Sequence, residues 1–219
     1  MLITYLFSII IFLLIGNFYQ LKIFLSAFIH RRHKITVITD RWITQTIKKK
    51  TSLALKRLII FEDQKPYGMM PGLPIKPTMI LSRGLYETFT RDELEWVILH
   101  EAGHWVLRHG LKAGAIQLAF LITGLWIMVL FHFAAVLSVL TACLFSLLAI
   151  RTIRRLIEYD ADRYSIERVS NPQGVITAQA KFRQAYKNNW ENRLSRLLFS
   201  WNVYPSERIK MAKKQISNR

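Results

Sequence analysis

The chain has little cysteine and few acidic groups, and two long stretches of it carry no charge. Cys143 is its only cysteine and lies inside an apolar run, so no intrachain disulfide is available. Acidic residues number 14 against 31 Lys and Arg, a formal net charge of +17. An excess of that size raises the question of a nucleic-acid partner, and its distribution along the chain decides the matter. Residues 1–21 and 113–150 contain no charged side chain. Residues 22–65 hold 11 basic and 3 acidic groups, residues 66–112 hold 5 of each, and residues 151–219 hold 15 and 6. Basic excess therefore flanks the apolar runs, as the positive-inside rule requires. Interleaved aromatic and basic residues that could stack single strands are missing. The composition predicts a lipid bilayer as partner and no nucleic acid.

The first run, residues 1–21, has no basic n-region and no small-residue cleavage site. The cluster "HRRHK" follows it instead. It reads as an uncleaved transmembrane anchor, long enough at about 20 residues for one crossing, with residue 22 onward on the cytoplasmic side. The second run lies between Lys112 and Arg151 and has 38 residues. A single helix of that length would reach roughly 57 Å, about twice the hydrocarbon thickness. Two short spans turning near His132 fit better; a buried helical pair in a soluble protein is the alternative. Residues 22–112 and 151–219 then meet on the cytoplasmic side, around a transmembrane hairpin at 113–150.

Between the spans, residues 40–58 have the pattern of a basic amphipathic helix, resting either on lipid headgroups or on the domain itself. "KPYGMMPGLPIKP" is too rich in Gly and Pro for a helix, and "TMILS" after it reads as a strand. "TRDE" forms a capping box, Thr90 as N-cap and Glu93 three residues on. Leu94, Val97, Ile98, Ala102 and Trp105 follow at helical spacing. The helix so started carries "HEAGH", an H-E-x-x-H motif. His100 and His104 project from one face one turn apart, a spacing suited to holding one Zn²⁺, with Glu101 placed to take a proton from water.

A catalytic zinc needs a third protein ligand. Gly110 and Leu107 stand where a metzincin requires His and Gly, which excludes that class. His109, five residues past His104, would point away on a continuous helix and reads as a surface or interfacial residue. Arg108, His109 and Lys112 would mark the headgroup level. The candidate ligand is Glu158 in "RRLIEYDADRYSIERV", with Asp162 four residues on to orient a metal ligand or an arginine. The alternative is an ordinary charged helix with i,i+4 contacts. A returning hairpin favours the ligand reading.

The order of these motifs resembles that of HtpX-like heat-shock proteases and CAAX prenyl endopeptidases, integral-membrane zinc metallopeptidases. "LSRGLYETFTRDELEWVILHEAGH", "EYDADR" and "YPSERI" carry the resemblance over roughly residues 75–215. It implies a mainly α membrane protein of about three transmembrane helices. Its catalytic domain would be helical and zincin-like, with a small β edge strand or hairpin. It implies His100, His104 and Glu158 as zinc ligands, Glu101 as catalytic base, and Arg208 as a further catalytic residue with Asp162 as its structural partner. It also implies an edge strand near Pro77–Ser82 that holds an extended protein substrate by β-addition. The family's C-terminal His is Tyr204 here, and its spacing to Arg208 is two residues shorter. The Tyr204 hydroxyl is the candidate for oxyanion stabilisation.

The function implied is zinc-dependent endoproteolysis of membrane-associated or misfolded proteins, in a prokaryotic cell membrane, with the site facing the cytoplasm. "PYGMMPGLPIKPTMILSRGL" also resembles the metallopeptidase domain of BlaR/MecR-type sensors. A site-2-type intramembrane protease would need an Asp ligand in a later apolar span, and the sequence past Ile150 is polar. A membrane sensor, chaperone or immunity protein retaining a metal site is the non-enzymatic alternative.

Overall fold

The computed structural model describes residues 3, 5–14, 35–70, 77–131, 135–186 and 205–218. In chain order the elements are α1 (Tyr5–Leu14), β1 (Ile35–Ile38), α2 (Arg41–Thr51), β2 (Arg57–Phe61), β3 (Gly68–Met69) and β4 (Thr78–Ser82), then α3 (Arg83–Thr88), α4 (Arg91–Val106), α5 (His109–Leu130), α6 (Ala135–Ile166), α7 (Gln173–Ala185) and α8 (Pro205–Ser217). The protein is mainly helical with one small sheet, as expected. It divides into two compact units, one of residues 1–32 and 111–156, the other of residues 33–110 and 157–219.

The first unit is apolar. Helices α5 and α6 are long and apolar enough to cross a membrane. Large side chains such as Leu118, Ile122, Trp126, Leu140 and Leu144 are exposed on them, unlike those of a buried core pair. Phe12, Met128, Ala142 and Ala149 pack together between α1, α5 and α6. Ser146 Oγ donates to the Phe12 carbonyl at 3.0 Å, so a hydroxyl in apolar surroundings is satisfied. Of the expected first span, Ile3 and the ten-residue apolar helix α1 fall among the described residues. The turn expected at His132 lies outside them.

The second unit is built around α4. Its capping box forms as the sequence dictates: Thr90 Oγ1 accepts from the Glu93 amide, and Glu93 Oε2 accepts from the Thr90 amide. Two of the three acids in the first two turns, Glu93 and Glu95, are buried and paired. Glu93 meets Lys181 Nζ at 2.6 Å. Glu95 meets Lys50 Nζ at 2.7 Å and accepts from the Ser170 amide and hydroxyl. These contacts pin α4 to α7, to α2 and to the turn after α6. Trp96, Val97, Ile98, Leu99 and Ala102 fill the core against Val175 and Ala178 of α7 and Ala212 of α8. Burying each large apolar side chain is worth about 1.5–3 kcal/mol. At Gly174 a Cβ would lie 2.6 Å from the Asp92 carbonyl, so only glycine lets α7 approach the start of α4 this closely.

The segment 40–58 differs from expectation. Helix α2, capped by Asp40, stops at Thr51 because Ser52 takes a left-handed conformation with φ 59°. Residues 57–61 form a strand instead. Ile43 and Ile47 are fully buried in the core that α4 centres. The apolar face of α2 is therefore covered by the domain rather than by headgroups.

The sheet has the order β1-β2-β4-β3. β2 runs parallel to β4, and Leu58, Ile60, Met79 and Leu81 bury one face. The expected edge strand at Pro77–Ser82 is corrected here. β4 is an inner strand, because Gly68 and Met69 pair antiparallel with Leu81 and Ile80. Among the described residues, the short β3 is the outer strand on that side.

Candidate metal centre

On α4 the two imidazoles lie edge to face one turn apart, their Nε2 atoms 3.2 Å from each other. Glu158, on the C-terminal part of α6, reaches both. Its Oε2 is 3.5 Å from His100 Nε2 and its Oε1 is 3.7 Å from His104 Nε2. One ligand atom from each of the three residues lies within 4.8 Å of the others. Two imidazole nitrogens and a carboxylate form the donor set of a catalytic zinc with one open position. The residues present fit that ion.

The glycine at position 103 eases the close approach of α6 to α4. A Cβ there would lie 3.1 Å from the Tyr164 ring and 3.7 Å from the Ala161 Cα. Behind the ligands, His100 Nδ1 lies 2.9 Å from Asp162 Oδ1. Asp162 is fully buried, and Arg208 Nε donates to its second oxygen at 2.6 Å. Arg208 also donates from Nη2 to Glu158 Oε2 at 3.4 Å. Its guanidinium lies 5.7 Å from the centre of the buried Trp96 ring. One arginine thus fixes the third carboxylate and neutralises the acid that steers the first histidine.

The electrostatics follow from this burial. Burial alone would lower the His100 pKa, but the Asp162 and Glu158 carboxylates outweigh it and hold it up at about 10. Burial and the charge on His100 push His104 down to about 3. Without a metal, the pair therefore carries one positive charge, on His100, and His104 is a neutral imidazole. Glu101 is raised to about 7, chiefly by burial, while the Met70 amide hydrogen-bonds its carboxylate. A carboxyl poised near neutrality is matched to proton transfer. The outer strand β3 ends one residue before that amide, so its edge runs up to Glu101.

The structure gathers His100, His104, Glu158, Asp162 and Arg208 in one place, with Glu101 alongside. Tyr204 lies outside the described residues. The expectation that His109 points away as a surface or interfacial residue is corrected: it is buried, and its Nδ1 lies 2.9 Å from His104 Nδ1. The cause is a break in the helix. α4 ends at Val106, and Arg108 has a φ of 53°. That left-handed residue restarts the helix as α5 and turns His109 back. Sequence reasoning also missed Trp96 and Met70. Trp96 has no polar partner pattern to betray it, and Met70 acts through its backbone.

Comparison with known proteins shows the family. The model of Peptidase family M48 matches residues 30–214. Protease HtpX of Psychrobacter sp. is 27% identical over 96 residues, covering 39% of this chain and 32% of that protein. The Protease HtpX homolog of Salinibacter ruber is 28% identical over 148 residues, covering 64% of this chain and 54% of that protein. The homolog of Streptococcus gordonii is 28% identical over 169 residues, covering 64% and 55%. The chain thus spans about a third to half the length of these relatives. The crystal structure of S. mikatae Ste24p superposes with a TM-score of 0.57 at 15% identity, over 82% of this chain and 51% of that one. That likeness is one of fold. The match to the family model extends over most of the sequence and takes in every ligand candidate: this chain belongs to Peptidase family M48.

Proposed function

We propose that the protein is a membrane-embedded, zinc-dependent endopeptidase that hydrolyses peptide bonds in membrane-associated or misfolded proteins. The observation that carries this reading is the convergence of His100, His104 and Glu158 beside a carboxylate, Glu101, on the same helix. Those three residues would hold the ion. When bound, zinc supplies Lewis acidity and lets water act as a nucleophile near neutral pH.

The chain's own groups do the rest. Glu101, held by the Met70 amide, accepts a proton from the attacking water and returns it to the departing amine. A substrate in extended form pairs with the outer edge of β3, which brings its backbone past Glu101. Arg208 is committed to Asp162 and Glu158, so it acts as a positioning residue. Stabilisation of the oxyanion then falls to the Tyr204 hydroxyl. α5 and α6 anchor the protein in the bilayer. The basic excess beside each apolar run supports a catalytic unit on the cytoplasmic side, and a prokaryotic cell membrane is the setting this reading gives it.

The test uses the full chain in detergent with an unfolded, membrane-anchored reporter. Cleavage should stop on chelation and return with added Zn²⁺. Cleavage that survives exhaustive chelation, or no cleavage by zinc-loaded protein, contradicts the proposal.

A further inference from the structure

The two histidines of the motif are held from behind by different partners. His100 has a carboxylate, Asp162, at 2.9 Å. His104 has a third imidazole, His109, also at 2.9 Å, Nδ1 to Nδ1. The H-E-x-x-H pattern does not include this residue. On an unbroken helix, five residues correspond to about 140° of rotation, which would carry His109 away from the metal-binding face. The break at Leu107–Arg108 cancels that rotation. Leu107 and Arg108 still donate to the carbonyls of Gly103 and Trp105 at 2.9 and 3.0 Å, so the break is closed by hydrogen bonds rather than frayed. Arg108 bears a left-handed conformation, φ 53°, that a non-glycine residue adopts only at an energetic cost. The local backbone is thus held in an unfavourable state whose effect is to seat His109 against His104. The rings meet edge to face, centroids 4.9 Å apart.

The proton arithmetic gives the contact a direction. His104 faces Glu158 and His100 through Nε2. To offer a lone pair there as a neutral imidazole, it must carry its proton on Nδ1. That N–H then donates to His109 Nδ1, which must be the bare nitrogen of its ring. We infer that His109 is the positioning residue for His104: it accepts the His104 Nδ1–H, fixes the tautomer that leaves Nε2 free for a metal, and locks the ring's orientation. The inference rests on the metal-centre reading above and deepens it. Metal ligands of this type characteristically donate their second N–H to a carboxylate, carbonyl or water. A neutral imidazole in that place makes His104 the less electron-rich of the two histidine ligands, with Asp162 enriching His100.

Two substitutions separate this role from mere filling of space. His109→Phe keeps the ring and removes the acceptor. His109→Asn shrinks the side chain but keeps an acceptor oxygen where Nδ1 stands. Zn²⁺ affinity is measured by competition with a chromogenic chelator on the full chain in detergent, and the Co²⁺-loaded proteins are compared by visible absorption. His109→Phe should bind Zn²⁺ about 10–100-fold more weakly than wild type, with an altered Co²⁺ spectrum. His109→Asn should stay within a few-fold of wild type. Helicity by circular dichroism confirms that each variant is folded. The reverse order, Phe equal to wild type and Asn impaired, shows packing alone and overturns the inference. So does equal affinity in all three proteins, and the metal centre then stands without His109. A wild-type protein that binds no Zn²⁺ contradicts the metal centre itself, and the role of His109 with it.

Discussion

Glu101→Gln should retain its zinc and lose about 10²–10⁴-fold in kcat, the typical contribution of a positioned general base. The amide preserves the shape of the side chain and still packs beside Met70, but it cannot accept a proton. Glu101 lies outside the proposed ligand set of His100, His104 and Glu158, so metal content should be unchanged. The same residue sets the pH profile. Its working form is deprotonated, so the rate rises with pH through its pKa. Burial lifts that value to about 7 in the metal-free protein, and a divalent cation nearby lowers it. The ascending limb of kcat/KM should therefore fall between the ordinary Glu value of about 4.3 and pH 7, and it should vanish in Glu101→Gln. A variant with wild-type turnover, or an unchanged ascending limb, would sink the assignment of the base.

Arg208→Ala should destabilise the fold by about 3–5 kcal/mol, because it strands a buried charge. Asp162 is fully buried and has Arg208 Nε at 2.6 Å on one oxygen and His100 Nδ1 at 2.9 Å on the other. Without the arginine, His100 alone faces that carboxylate. Glu158 also loses its second tether, at 3.4 Å, so zinc affinity should fall with stability. Arg208→Lys should recover part of the stability, since an ammonium can meet Asp162 but cannot span both acids with one planar fork. The measurement is denaturant unfolding of the metal-free variants beside wild type. If Arg208 instead contacts the reacting substrate, kcat falls while stability stays within about 1 kcal/mol of wild type, the range of ordinary surface substitutions. That outcome would remove the positioning role argued above.

The helix bearing the motif was legible because its signals are local. The Thr90–Glu93 capping box and the apolar spacing that follows require no knowledge of the rest of the chain. Glu158 and Asp162 were legible as a pair four residues apart, and the long apolar runs suggested how they return to α4. What was hidden depends on tertiary context or on backbone geometry. β2 lies in a stretch whose basic and apolar residues suit a helix, and only the turn at Ser52 ends α2 before it. β3 is two residues long in a Gly- and Pro-rich segment, so no period could show it. It is nonetheless the strand that turns β4 from an edge into an inner strand. His109 was misread because a left-handed arginine has no sequence signature; helical extrapolation through Arg108 aimed the side chain the wrong way. The Lys50–Glu95 and Lys181–Glu93 pairs, in which the acids are buried, were equally silent, since charged residues on a helix ordinarily read as a solvated face.

The central claim is that two histidines from α4 and a glutamate from α6 form one metal centre. Its most direct test is the zinc content of purified wild type and Glu158→Ala. Wild type should hold one Zn²⁺ per chain, and Glu158→Ala should lose it while remaining folded by circular dichroism. Equal zinc in the two proteins, or none in wild type, contradicts the account.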